Sequence, residues 1–228
     1  MTAPSKDTVL HRIGELQAHL PGAVSVMVGV AALGAVTLPG AWPMTRHVGL
    51  IAHEGAHAMM GSSLGHRVTG MRLQRDGNGG TVIAGITDRG SGIAVGLIGY
   101  LGPSLTGLGA AKLIGSGHIV AVLWLELLGL AILLPLLRTA FGVISVLCTG
   151  GLLYLLARSA PLGAQTVTAY ATAWYLLLAG VRMVLEDGPG ADDAGALMGL
   201  TRIPPGFWSR LWLLGAVATL AIGGRLLV

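Results

Sequence analysis

His53-Glu54-Gly55-Ala56-His57 places two histidines four residues apart, with a glutamate beside the first. On a helix, positions i and i+4 project from one face, so both imidazoles can bind one Zn²⁺ at about 2.0–2.1 Å. Glu54 is turned about 100° from His53, which lets it reach a water on the ion without ligating it. Zinc lowers the pKa of such a water towards about 7, and a neighbouring carboxylate can take the proton as hydroxide attacks a carbonyl. The residue types and spacing therefore describe a hydrolytic zinc site. A catalytic zinc also needs a third protein ligand and one open position. The carboxylates in or near the apolar segments are Glu126, Glu186, Asp187, Asp192 and Asp193.

The surroundings of these residues are unusual for such chemistry. The chain has 228 residues, 53% hydrophobic and only 11% charged, where a soluble domain carries about 25% charged residues. Apolar stretches long enough to cross a bilayer recur, at roughly 20 residues each. The fold class that follows is an all-α polytopic membrane protein. About seven transmembrane helices are expected, at 23–42, 47–63, 91–113, 119–137, 139–157, 164–185 and 207–227. Residues 1–22 mix Lys6, Asp7, His11, Arg12, Glu15 and His19 with leucines and read as an amphipathic segment on the membrane surface. Residues 23–228 form a single domain. The one cysteine, Cys148, excludes an intrachain disulfide and a cysteine-rich metal site. The net charge of +4 bears on membrane topology rather than on nucleic acid, which is not expected as a partner.

Val68–Thr87 breaks the helical pattern. Two short strand-like runs flank Asp76-Gly77-Asn78-Gly79-Gly80, and Asp-Gly and Asn-Gly pairs supply the positive φ angles of a tight hairpin. A small β-hairpin on the membrane surface, just after the zinc helix, is the expectation. With seven spans and a cytosolic N-terminus, ten of the 14 Lys and Arg residues fall inside and four outside, as the positive-inside rule favours. The hairpin and the acidic segment Glu186–Asp193 then share the cytosolic side. Four spans separate the second span from that segment, so an aspartate there can return beside His53 and His57. Asp192 and Asp193 could equally cap the short helix that follows.

Three further features complete the reading. His11, His19, His47, His66 and His118 lie near span ends and read as interfacial. Glu126 sits midway along the fourth span, either lining a water path to the ion or protonated and hydrogen-bonded to a neighbouring helix. Arg182 is a candidate for stabilising a developing oxyanion, or else a partner for Glu186.

At this point the residues carry a resemblance. Ala52-His53-Glu54-Gly55-Ala56-His57-Ala58, a following hairpin with Gly79-Gly80, Gly99-Tyr100-Leu101-Gly102-Pro103 and a distant aspartate look like the site-2 protease family of intramembrane zinc metallopeptidases. The compact bacterial branch is the closer likeness, with its Ser-Asp-Ala segment, Gly-Ile-Pro-like turn and tryptophan. Here that stretch reads Asp192-Asp193-Ala194, then Thr201-Arg202-Ile203-Pro204, then Trp208. The resemblance covers roughly Arg46 to Trp208. It implies that His53, His57 and Asp193 bind Zn²⁺ and that Glu54 acts as general base and proton donor. It also implies a transmembrane protein as substrate, cleaved in or near its membrane helix, and a multi-pass location in the cell membrane. Well-studied members carry a Leu-Asp-Gly motif, often preceded by an asparagine and prolines. This chain departs from that pattern, since its only asparagine is Asn78, in the hairpin turn. Two rival readings follow: a non-catalytic zinc-binding scaffold or partner subunit of the same fold, and a metal transporter. A substrate helix must unwind before attack, and an edge strand of the hairpin could hold it by strand addition.

Overall fold

A computed structural model describes residues 12–228. Lys6, Asp7 and His11 of the expected amphipathic segment lie outside the described residues. The described remainder holds one helical turn at residues 12–14 and then runs extended to Pro21. Gln17 pins this stretch down. Its backbone N–H donates to Gly117 O at 2.8 Å, and its Oε1 accepts from Val120 N at 3.0 Å. A free N–H at the start of a later helix is thereby satisfied.

The elements in order are α1 (Gly22–Thr37), α2 (Trp42–Ser63), β1 (Arg67–Leu73), β2 (Gly79–Ala84), α3 (Arg89–Gly115) and α4 (Ile119–Leu133). They continue with α5 (Ala140–Ser159), α6 (Leu162–Asp187), α7 (Asp192–Thr201) and α8 (Pro205–Leu227). Short 3₁₀ turns, Leu134–Leu136 and Gly188–Gly190, follow α4 and α6. The chain is thus mostly helical with one two-stranded sheet, and it is a multi-pass membrane protein.

The count of seven spans is not reached. Among the described residues, α3, α4, α5, α6 and α8 are long and apolar enough to cross a membrane, and α1 with α2 makes a sixth if the two count as one broken span. The span expected over 23–42 stops at Thr37, because Pro39 and Gly40 interrupt it. The chain then turns by 100° into α2. Helix α2 begins at Trp42 with Pro43 in its first turn, where a missing N–H costs nothing. Arg46 lies inside the helix rather than ahead of it. The side on which the N-terminus emerges now depends on whether the bent pair crosses, so the cytosolic assignment loses its support. The hairpin and the Glu186–Asp193 segment do come together, since residues of both line one cavity.

The hairpin expected over Val68–Thr87 is present. β1 and β2 are antiparallel, with a bulge between Val68 and Gly70. The turn closes through Gln74 N to Asn78 O at 2.9 Å, with Gly77 at φ +87°. Asp76 Oδ1 accepts from Asn78 N at 3.1 Å, an Asx contact suited to such turns. The outer edge of β1 is covered. Met71 bridges Leu137, Arg138 N donates to Met71 O, and the Thr139 hydroxyl bonds both Leu73 N and Leu73 O. The outer edge of β2 takes no backbone hydrogen bond from another described element. Asp88 then caps α3, accepting from Ser91 N at 2.7 Å, and this bond holds its carboxyl below the usual carboxylate range.

Helix α3 is the axis of the fold and approaches its neighbours through glycines. A Cβ on Gly102 would meet Ala56 Cβ and Ala52 O of α2 at 2.6 and 2.7 Å, and one on Gly107 would meet Leu177 N of α6 at 2.8 Å. Small residues at such crossings let membrane helices pack backbone to backbone. Gly92 and Gly96 of α3 take Leu200 and Leu197 of α7 in the same way. One buried cluster, including Trp42, Tyr100, Leu197, Trp208 and Trp212, flanks the polar part of α2. Another, including Leu50, Ile51, Met71, Leu73 and Leu137, lies under the hairpin.

Candidate metal centre

His53 and His57 are successive turns of one face of α2, buried at 7% exposure each. Asp193 comes from the first turn of α7, which α3 positions through Gly92 and Gly96. The N-cap of α7 is Ala191 and no side chain caps the helix, so neither aspartate spends its carboxylate there. Asp192 is exposed, whereas Asp193 turns towards the histidine pair. Oδ2 of Asp193 lies 3.1 Å from His57 Nε2 and 3.5 Å from His53 Nε2, and the two Nε2 atoms are 3.2 Å apart. Among the described residues, these three form the one group of histidine, cysteine or carboxylate side chains placed to hold an ion.

The donor set fits a tetrahedral cation. Ligands at about 2.0–2.1 Å from zinc stand about 3.3–3.4 Å from one another in a tetrahedron, close to the three separations found. The proton inventory points the same way. His57 Nδ1 lies 2.8 Å from Val95 O, so Nδ1 carries the hydrogen in the neutral ring and Nε2 keeps its lone pair. Asp193 Oδ2 is buried without a hydrogen-bond partner. Lone pairs gathered this tightly in a low-dielectric site repel unless a cation or a proton lies between them.

Glu54 is 3% exposed and stands off this triad. Its Oε2 accepts from the Thr81 hydroxyl at 2.7 Å, and that hydroxyl also approaches Glu54 O at 3.1 Å. Oε1 lies against Gly79, where any Cβ would collide with it. The hairpin therefore holds the glutamate, and the glycine lets β2 run this close to α2. His53, Glu54, His57 and Asp193 all line one cavity of about 620 Å³, with Gly79, Gly80 and Thr81 of β2 on its wall. The open edge of β2 thus borders the candidate centre.

Several contributors were not legible beforehand. Gly99 of α3 is the clearest: a Cβ there would touch His57 Nε2 and Asp193 Oδ2. The motif around Gly99 and Pro103 was visible, but not this contact. Thr81 carried no signal beyond its place in a strand. The Arg46 guanidinium sits over the hairpin turn at Gly77 and lines the cavity. Arg182 does not line it. That side chain lies 4.0 Å from Glu186 and over the Trp42 ring, as a partner for Glu186 would. Glu126 is next to Thr172 of α6 and is not among the cavity residues either.

Residues 26–223 match the family described as Peptidase M50B-like. The chain belongs to the site-2 protease family. No match was found among the curated proteins or among the solved structures. Membership in the M50B-like family covers both the helix with the histidine pair and the segment with Asp193.

Proposed function

We propose that this protein is an intramembrane zinc endopeptidase that hydrolyses a peptide bond in or near a substrate's transmembrane helix. The observation that carries this reading is the approach of His53 Nε2, His57 Nε2 and Asp193 Oδ2 to within 3.1–3.5 Å of one another, with Glu54 on the same cavity wall. These three atoms would hold the zinc, which supplies Lewis acidity for activating a water and polarising a peptide carbonyl. Glu54 takes the proton of the attacking water on its carboxylate and returns it to the leaving amide nitrogen. The Thr81 hydroxyl holds Oε2 and so orients the carboxylate. His57 is kept in its ligating tautomer by Val95 O. The substrate segment, unwound, adds to the open edge of β2 and is thereby presented to the cavity. This presentation supplies the backbone hydrogen bonds that the segment gives up on leaving its helix.

Glu54→Gln tests the chemistry. Bound zinc is expected to stay at wild-type stoichiometry, while cleavage of a membrane-embedded substrate falls by about 10²–10⁴-fold. Cleavage undiminished in Glu54→Gln would defeat the reading. A scaffold predicts that neither property responds to Glu54, and a transporter predicts metal flux that needs His53 and Asp193. Proline at alternate edge positions of β2 is expected to lower cleavage without lowering zinc content.

A further inference from the structure

The two histidines of the centre are held in different ways. His57 has the outer bond that usually fixes the tautomer and ring orientation of a ligating histidine, from Nδ1 to Val95 O at 2.8 Å. His53 Nδ1 is buried and has no hydrogen-bond partner among the described residues. The Tyr100 ring stands against His53 instead, with centroids 4.7 Å apart and planes at 83°. Tyr100 is itself clamped. Its ring lies on Trp212 at 4.7 Å and 31°, and Trp212 Nε1 donates to Leu97 O at 2.8 Å.

The hydroxyl of the same tyrosine reaches the segment that leads into α7. It donates to Asp187 Oδ2 at 2.8 Å. Asp187 is the last residue of α6, and only the Gly188–Gly190 turn and Ala191 separate it from α7 and Asp193. A second bond, Trp42 Nε1 to Glu186 Oε2 at 2.6 Å, ties the same helix end to α2. Because this linker is so short, the place where α6 ends sets where Asp193 can reach.

From these contacts we infer that Tyr100 is the positioning residue of the metal centre. Its ring orients His53 where a hydrogen bond is lacking, and its hydroxyl tethers the segment that delivers Asp193. The inference rests on the zinc reading above. Tyr100 touches no reacting atom and acts through the ligands.

The test uses the full chain in detergent and reads metal binding rather than cleavage. Zinc affinity is measured by chelator competition, and the visible absorption of the Co²⁺-loaded protein reports ligand geometry. Tyr100→Phe keeps the ring and removes the tether; Tyr100→Leu removes both. Zinc affinity is expected to fall about 10-fold in the first and about 100-fold in the second, the range for outer-shell partners, with the cobalt bands altered in both. Tyr170→Phe, in the buried cluster with Leu123 and Leu177, serves as the structural control and should leave affinity and bands unchanged. Wild-type affinity and cobalt bands in both Tyr100 variants would overturn the inference, as would equal changes in Tyr170→Phe. A wild-type chain that binds neither zinc nor cobalt would overturn the zinc reading and this inference together. Wild-type binding with indifferent Tyr100 variants would overturn only this one.

Discussion

Helices α3, α4, α5 and α6 are all long and apolar enough to cross a membrane, yet α3 and α6 are built differently from α4 and α5. In α3 and α6, 44% and 50% of the most apolar window is buried within the protein; in α4 and α5 it is 28%. The buried pair is rich in small residues at crossings. Gly96, Gly99, Gly102 and Gly107 of α3 and Gly180 of α6 each have a neighbour within 3.1 Å of where a Cβ would sit, whereas the mid-helix Gly129 of α4 and Gly150 and Gly151 of α5 have none nearer than 3.6 Å and only Gly142, in the first turn of α5, is crowded. Lipid tails are as apolar as leucine, so greasy side chains do not drive helices together in a bilayer; close packing and polar contacts do. The inner pair therefore gives up side-chain bulk to bring α2 and α7 into register, and the outer pair shields the result. A polar cavity has room among these apolar helices because of this close inner packing.

The contrast can be broken most severely at the centre itself. Asp193→Ala is expected to lower zinc affinity by more than the 10–100-fold typical of outer-shell partners, because the proposed centre would lose one of its three protein ligands. Equilibrium dialysis with zinc quantitation checks this, and wild-type affinity would exclude Asp193 as a ligand. Gly99→Ala comes next. Its Cβ would collide with His57 and Asp193, and overpacking of this kind costs about 1–3 kcal/mol. Zinc retention after gel filtration should drop while the chain still inserts and stays monodisperse. A third change separates positioning from ligation. Thr81→Val removes the hydroxyl from Glu54, a hydrogen bond to a charged group being worth about 1.5–3 kcal/mol. Cleavage should fall about 10–100-fold, with zinc content unchanged by metal analysis. Gly129→Ala in the outer pair should do least: no loss of zinc or cleavage, and a thermal unfolding change in detergent corresponding to 1 kcal/mol or less. A Gly129 effect as large as that of Gly99 would erase the distinction between the two pairs.

Much of the site was legible because it is local. The i, i+4 spacing of His53 and His57 needs only a helix, and Asp76-Gly77-Asn78-Gly79 needs only its turn preferences to close the hairpin. The fourth-span carboxylate Glu126 and the cation Arg182 attracted notice as charges in apolar sequence, yet neither lines the cavity. Burial in a membrane protein marks a constraint, and packing decides whether that constraint is chemical. Thr81 drew no such notice, and Tyr100 stood out only as part of the Gly99–Pro103 stretch. An aromatic residue in an apolar helix and a threonine in a strand are ordinary until their neighbours are known. The count of seven spans is not confirmed among the described residues, because at Leu38–Ala41 a proline and a glycine set α1 and α2 at 100° to one another.

By itself the sequence determined what short-range hydrogen bonding and periodicity can encode: apolar helices, a turn, and two imidazoles one helical turn apart with a carboxylate between them. Only the tertiary structure decided that the Asp193 carboxylate comes within 3.5 Å of both imidazoles, that Gly99 leaves room for them, and that Tyr100 touches His53 while tethering the segment that carries Asp193. Those outcomes depend on contacts between α2, α3, α6 and α7, which lie far apart along the chain. The surfaces that set them exist only once the helices have packed.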